Sequence, residues 1–260
     1  MRVEPVYRPV LAVARTMFRF EGLKFTLTGT ENVPRTSGAV LVMNHVGYLD
    51  FTYAGLGCQA SQRLVRFMAK QEVFSHPVSG PLMRGMHHIP VDRVAGAGSY
   101  LAAVQALAGG EIIGVFPEAT ISRSFELKGF KSGAARMALE AGVPLLPMII
   151  WGSQRVWTKG HPKRLGRTNT PISVDIEKPV AAHGTAEELT NQLHTVMGAQ
   201  LPKVQEAYPE HPAGAYWVPA RLGGSAPTLD EAEALDREET KAKVAARREK
   251  VAELKRKGKL

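Results

Sequence analysis

Cysteine is almost absent from this chain: Cys58 is the only one in 260 residues. A single thiol excludes an intramolecular disulfide and any cysteine-rich zinc or iron–sulfur site, and it fits a reducing, cytoplasmic setting. Long apolar runs are missing too. A spanning helix needs about 18–20 uninterrupted apolar residues, and the best candidate, VPLLPMIIW at 143–151, is far shorter and carries two prolines. The N-terminal apolar patch is interrupted by Arg15 and Arg19 with no small-residue cleavage site after it, so no secretory signal peptide is expected. Acidic residues are in deficit: 24 Asp and Glu against 33 Lys and Arg leave a formal net charge of +9. That excess favours anionic partners, whether phospholipid surfaces, phosphorylated substrates or nucleic acid. No recognisable nucleic-acid motif accompanies it, so no nucleic-acid partner is expected. Composition is otherwise that of a folded protein, 44% hydrophobic and 22% charged.

Residues 1–23 form the first segment. At about 100° per residue, Val6, Val10, Leu11, Val13, Ala14, Met17, Phe18 and Phe20 share one half of a helical wheel, and Arg8, Arg15 and Arg19 cluster opposite. Pro9 is expected in the first turn, where its missing N–H does least harm. Such a basic amphipathic helix suits a headgroup layer; it equally suits packing on a domain with its arginines solvated. From residue 24 to 207 the chain alternates strand-like and helix-like segments. Strands are expected at 24–29, 39–43, 64–69, 112–116, 143–150 and 172–177. Helices are expected at 48–56, at 99–108 capped by Ser99, at 132–141 ended by Gly142, and at 185–199 opened by a Thr185/Glu188 capping box. The alternation predicts one α/β domain with a largely parallel central sheet. Residues 208–227, rich in Pro, Gly and Ala, read as a linker or wrapping segment. Residues 228–260 hold 10 basic and 8 acidic side chains and read as a solvated helix, with i,i+4 pairs at Glu233/Arg237, Glu239/Lys243 and Glu253/Lys257.

Asn44 and His45 end the second strand, and Asp50 follows five residues after the histidine. If the chain folds back into a helix there, Asp50 accepts from one imidazole nitrogen and leaves the other free as an acceptor. That is the orienting-acid and general-base half of a catalytic triad. The nucleophile is the missing half: there is no GxSxG, and Cys58 has no charged neighbour in sequence. Such a pair would activate a hydroxyl of the substrate, or a water. A histidine ending a strand beside a helix-capping Asp50 would look the same.

Further blocks follow: GMHHIPVDR at 85–93, FPEATISRS at 116–124, LKGFKSGAARMA at 127–138 and VPLLPM at 143–148. With NHVGYLD at 44–50, their order and spacing resemble the 1-acyl-sn-glycerol-3-phosphate acyltransferase family over about residues 25–180. The resemblance implies an α/β fold like that of glycerol-3-phosphate acyltransferases, with a mixed sheet flanked by helices. It also implies transfer of a fatty acyl group from acyl-CoA or acyl-carrier protein, with the carrier as co-substrate and no bound cofactor or metal. His45 then corresponds to the general base and Asp50 to its orienting partner, with Asn44 in the same block. Arg93 matches an arginine associated with the acceptor's phosphate. Phe116, Pro117, Glu118 and Thr120 match a third, acceptor-site block, and Pro147 the proline of a fourth. Residues 24–207 become the catalytic domain, and the partners become a lipid surface, a thioester donor and a lysophospholipid acceptor, on the cytoplasmic face of a membrane.

Attack of an alcohol on a thioester needs its proton removed as the bond forms, and arginine's fork suits a phosphate. Lys131 or backbone amides are candidates to receive the developing oxyanion. The third block departs from the family's FPEGTRS: Ala119 replaces its glycine and Ile121 its arginine, with Arg123 two positions on as a replacement cation. The expected product is phosphatidate from lysophosphatidate. Acylation of glycerol 3-phosphate or another polar acceptor, or hydrolysis by the same His–Asp pair, stays open, as does a non-catalytic binder that uses only the charge. Adjacent His87 and His88 point apart on a strand and are not expected to bind metal. Gly96-Ala97-Gly98 is a turn rather than a phosphate loop, and the basic run Lys163, Arg164 and Arg167 is a solvated face or a contact to anionic lipid.

Overall fold

A computed structural model describes residues 4–92 and 96–256, without the side chains of a few positions past 246. The chain divides into two compact units, residues 1–121 with 127–210, and residues 122–126 with 211–260.

The first unit holds a seven-stranded sheet made of β1 (Lys24–Thr28), β2 (Ala39–Met43), β3 (Val65–Lys70), β4 (Ile89–Val91), β5 (Ile112–Val115), β6 (Leu145–Trp151) and β7 (Pro171–Ile176). The strands lie in the order β1-β7-β6-β2-β5-β3-β4. Every neighbouring pair is parallel except β6 and β7, so the sheet is mixed and largely parallel, as expected. Central β2 and β6 are buried at every position, which is why both read as continuous apolar runs rather than alternating ones. Edge strand β1 alternates exposed and half-buried residues.

The helices of this unit are α1 (Tyr7–Phe20), α2 (Asp50–Gln59), α3 (Gln71–Ser75), α4 (Ser79–Gly85), α5 (Ala97–Ala108), α6 (Gly133–Ala141) and α7 (Ala186–Glu206). Gly142, left-handed at φ +64°, ends α6, and Thr185 and Glu188 form the complete capping box that opens α7. Two expectations need correction. Ser99 is the third residue of α5 and makes no side-chain cap; the helix starts earlier, from Gly96. And α7 does not stop near residue 199 but continues through Pro202, because packing of Leu193, Met197, Leu201 and Val204 outweighs one missing N–H. Short β4, α3 and α4 have no counterpart in the sequence-based expectation.

The apolar half of α1 is divided between two tasks. Tyr7 and Phe18 are buried, with Phe18 in a ring triangle with Phe25 and Tyr53 and the Tyr7 hydroxyl donating to the Val65 carbonyl at 2.7 Å. Val13, Met17 and Phe20 on the next flank are exposed. At the start of the helix, the buried Arg66 guanidinium donates to both carboxylate oxygens of buried Glu4, to Glu111 and to the Met86 carbonyl. The second unit contains α8 (Leu229–Arg256). Thr228 and Glu231 cap it reciprocally, and both Glu233/Arg237 and Glu239/Lys243 pair as expected. Lys257 lies outside the described residues.

Arg66→Ala removes the only described donor to the Glu4 side chain and leaves that carboxylate buried. We expect a loss of about 3–5 kcal/mol in urea unfolding followed by circular dichroism.

Candidate active site

Strands β5, β2 and β6 are parallel neighbours, with Val42 level with Val115 and Met43 level with Met148. Their carboxyl ends therefore lie along one edge, and the chain leaves β2 toward β3 on one side and leaves β5 toward β6 on the other. Open α/β sheets bind their ligands at such a reversal. Three segments converge there: 44–50 after β2, 116–120 after β5, and 150–158 at the end of β6.

Asn44 splices the first segment to β6: its side-chain nitrogen donates to the Ile150 carbonyl at 3.0 Å and its oxygen accepts from the Ile150 amide at 2.7 Å. The chain then folds back so that Asp50, first residue of α2, faces His45. The distance from His45 Nδ1 to Asp50 Oδ2 is 2.9 Å, and the amides of Val46 and Gly47 donate to that oxygen at 2.8 Å each. Because this oxygen is already an acceptor for two amides, Nδ1 is the protonated ring nitrogen and Nε2 carries the free lone pair. The Asp50 side chain is fully buried, whereas that of His45 keeps 19% exposure, enough to meet a substrate. Phe116 stacks on the imidazole with centroids 4.0 Å apart and planes 22° apart.

Glu118 serves the same residue from below. Its Oε1 accepts the His45 amide at 3.0 Å and its Oε2 the Lys128 amide at 3.2 Å. Burial pushes this carboxyl up to about 8, although both amides pull it down. Ala119 is left-handed at φ +62°, a conformation a glycine would adopt without strain, and the next residue, Thr120, is half-buried. Ile121 is 4% exposed, so the place of the family's arginine holds a core residue. Pro117 accepts the Lys131 amide at 3.0 Å, which ties exposed Lys131 to this block. Pro147 lies within β6, level with Val42, and accepts the Glu177 amide.

Arg93 is outside the described residues. Arg123 belongs to the second unit, where Asp236 and Glu239 hold its guanidinium at 3.3 and 3.0 Å; carboxylates occupy the cation proposed for a phosphate. His88 is buried with its Nδ1 accepting the Phe67 amide, and burial lowers it to about 4. His87 precedes β4 in a left-handed turn. Cys58 is fully buried, with its thiol pushed up to about 12 by that burial, so it is no nucleophile.

The polar residues of the third converging segment carry no pattern in the sequence. The Ser153 hydroxyl donates to Asp50 Oδ1, the Trp157 carbonyl accepts the Tyr48 amide at 3.0 Å, and the Thr158 hydroxyl donates to the Val46 carbonyl at 2.7 Å. These bonds join residues more than 100 positions apart and leave no local pattern. Lys163 lies over the Trp157 ring, beside Tyr48.

In the unfolded chain Glu118 releases its proton near 4.5, the ordinary value for a glutamate, but in the fold it keeps it to about 8. Between those values the fold binds more protons, so this residue's contribution to stability is present at low pH and is lost as pH rises to 8. Glu118→Gln cannot accept both amides and is expected to cost about 1–3 kcal/mol at pH 5. That deficit should shrink toward pH 8.5 in parallel urea titrations, because the variant lacks the ionisation.

A family model described as Acyltransferase matches residues 24–151. The chain is 34% identical over 137 residues to the 1-acyl-sn-glycerol-3-phosphate acyltransferase of Bacillus subtilis, covering 51% of this chain and 67% of that protein. It is 30% identical over 184 residues to a chloroplastic 1-acyl-sn-glycerol-3-phosphate acyltransferase of Arabidopsis thaliana, covering 68% of this chain and 49% of that one. Against the enzyme of that name from Borreliella burgdorferi, identity is 28% over 144 residues, covering 53% and 55%. The chain thus spans about half the length of these last two relatives. The crystal structure of the 1-acyl-sn-glycerophosphate acyltransferase PlsC from Thermotoga maritima shares the fold, with a TM-score of 0.61 at 22% identity over 81% of this chain and 86% of that one. With its His45–Asp50 pair at the carboxyl ends of the sheet, the chain belongs to the acyltransferase family that includes these 1-acyl-sn-glycerol-3-phosphate acyltransferases.

Proposed function

We propose that this protein transfers a fatty acyl group from a thioester, acyl-CoA or acyl-carrier protein, to the free hydroxyl of lysophosphatidate, making phosphatidate at the cytoplasmic face of a membrane. The observation that carries this is the state of His45: Nδ1 is held by a buried carboxylate, and among the described residues nothing bonds Nε2 and no serine or cysteine bonds the ring. A base without a protein nucleophile acts on a hydroxyl of the substrate or on a water, and the acyltransferase names of the relatives favour the hydroxyl. Nε2 takes the acceptor's proton as its oxygen bonds to the thioester carbonyl carbon. The tetrahedral oxyanion then collapses, the C–S bond breaks, and the imidazolium returns the proton to the departing thiolate. Asp50 holds the tautomer and balances the imidazolium charge throughout.

Arg93 and Lys131 are the proposed cations for the acceptor's phosphate, since Ile121 is buried and Arg123 is paired within the second unit. The relatives' printed names support lysophosphatidate as acceptor. His45→Ala and Asp50→Asn are expected to lower kcat by about 10³-fold or more and by about 10²–10⁴-fold respectively. The assay is thiol release from oleoyl-CoA, or from an oleoyl carrier protein, on vesicles with and without lysophosphatidate. Release that ignores the acceptor identifies a hydrolase instead, and release with glycerol 3-phosphate alone moves the acceptor.

No helix among the described residues is long and apolar enough to cross a membrane, and α1 supports peripheral attachment. Val13, Met17 and Phe20 are 69%, 42% and 72% exposed on one flank, exposed Arg8, Arg15 and Arg19 occupy the other, and the outward ridge of Ala12 and Thr16 lies between them. A helix lying on that ridge sets apolar side chains at the acyl boundary and guanidinium groups at phosphates. Met17→Glu with Phe20→Glu removes two of these apolar contacts. We expect at least a tenfold, roughly 1.4 kcal/mol or greater, loss of binding in sedimentation with anionic vesicles, with the melting temperature unchanged because both side chains are exposed.

A further inference from the structure

Asp50 is fully buried, and its two carboxylate oxygens are served very differently. The His45 ring and the amides of Val46 and Gly47 all converge on Oδ2. The other oxygen, Oδ1, receives the hydroxyl of Ser153, a residue 103 positions away that is itself 0% exposed. We propose that Ser153 is a positioning residue of the His45–Asp50 pair: by holding Oδ1 it fixes the plane of the carboxylate, and so the direction in which Oδ2 meets the imidazole. The inference rests on the role of His45 as the base.

The torsion about an aspartate's Cβ–Cγ bond is soft. Three donors gathered at one oxygen hold that oxygen like a pivot and constrain the rotation of the other weakly. A donor on Oδ1 supplies the second fixed point, and without it a buried acceptor is left unsatisfied. Because Oδ1 can only accept, the hydroxyl proton of Ser153 points at Asp50.

Ser153 is held in turn. It follows Gly152, which is left-handed at φ +95° with the Pro171 carbonyl oxygen 2.2 Å from where a Cβ would stand. The Ser153 carbonyl accepts the amides of Val156 and Trp157. On either side of it, the paired bonds of Asn44 to Ile150, the Tyr48 amide to Trp157 and the Thr158 hydroxyl to Val46 fasten the same segment to the catalytic turn. Gly47 makes the approach possible: a Cβ there would stand 2.6 Å from Ser153 Oγ and 3.1 Å from the Ser153 carbonyl carbon. The two segments are thus shaped to bring this hydroxyl to this carboxylate.

The test compares Ser153→Ala, Ser153→Thr and Gly47→Ala with the parent protein and with His45→Ala. Each is assayed for acyl transfer on vesicles, for melting temperature, and by NMR of histidine-labelled protein for the low-field Nδ1 proton of His45. We expect Ser153→Ala to lower kcat about tenfold while KM for both substrates stays within about twofold, the signature of lost geometry at the reacting group rather than lost binding. The Nδ1 proton should shift upfield, and Ser153→Thr, which keeps the hydroxyl, should recover most of both signals. Gly47→Ala, which displaces the hydroxyl without removing it, should mimic Ser153→Ala, and it carries the test if Ser153→Ala does not fold. A folded Ser153→Ala with kcat within twofold of the parent and an unmoved Nδ1 proton overturns the inference, as does a kcat loss that Thr fails to recover while that proton stays in place. If His45→Ala itself keeps full transfer, the base assignment fails and the inference falls with it, which separates the two failures.

Discussion

Everything about this site turns on one buried negative charge. A carboxylate without water is costly unless donors surround it, and Asp50 is enclosed by four, contributed by a ring, two amides and a hydroxyl. Each donor constrains a different part of the chain. The amides of Val46 and Gly47 force the sharp return after β2, the imidazole is fixed by one nitrogen with the other outward, and Ser153 draws in the segment after β6. Glu118, buried as well, gathers the His45 and Lys128 amides. The base is therefore held through its side chain by a carboxylate and through its backbone by a carboxyl group that burial keeps protonated up to about pH 8, on a sheet whose central strands are wholly buried.

The parts of this arrangement that were legible in the sequence are those that local physics writes locally. The buried runs of β2, β5 and β6, the Thr185/Glu188 box, the stop at Gly142 and the return from His45 to Asp50 all depend on residues within a few positions of one another. What could not be seen depends on distance or on short elements. Ser153 and Thr158 act across more than 100 residues, and serine and threonine in an irregular segment carry no periodicity. Strand β4 has three residues, one of them proline, too few for alternation to register. The path of α7 through Pro202 was set by packing on β6, against local propensity. Arg123 stands two positions from the place of the family's arginine, a local resemblance to a phosphate ligand, whereas its partners, Asp236 and Glu239, come from far along the chain.

Charge is likewise distributed by purpose rather than by composition. Of the abundant arginines, Arg66 is buried and neutralised by Glu4 and Glu111, and Arg123 is held by two carboxylates within the second unit. Arg15 and Arg19, on the outer flank of α1, are exposed. The formal +9 thus overstates no single patch, and the helix that offers both apolar and cationic flanks is the one whose first turn is anchored by the Arg66 network.

The lone cysteine has a practical consequence. Cys58 sits inside α2 with no exposed surface, and its thiol is kept protonated far above neutral pH, so alkylating reagents should pass it by while the protein is folded. For chemistry at thiols, the native chain behaves as though it had none. A cysteine introduced on the open flank of α1, or beside the mouth of the site at Tyr48, would be the sole reactive handle, and a reporter dye attached there could follow the protein's arrival at a bilayer without any further change to the sequence.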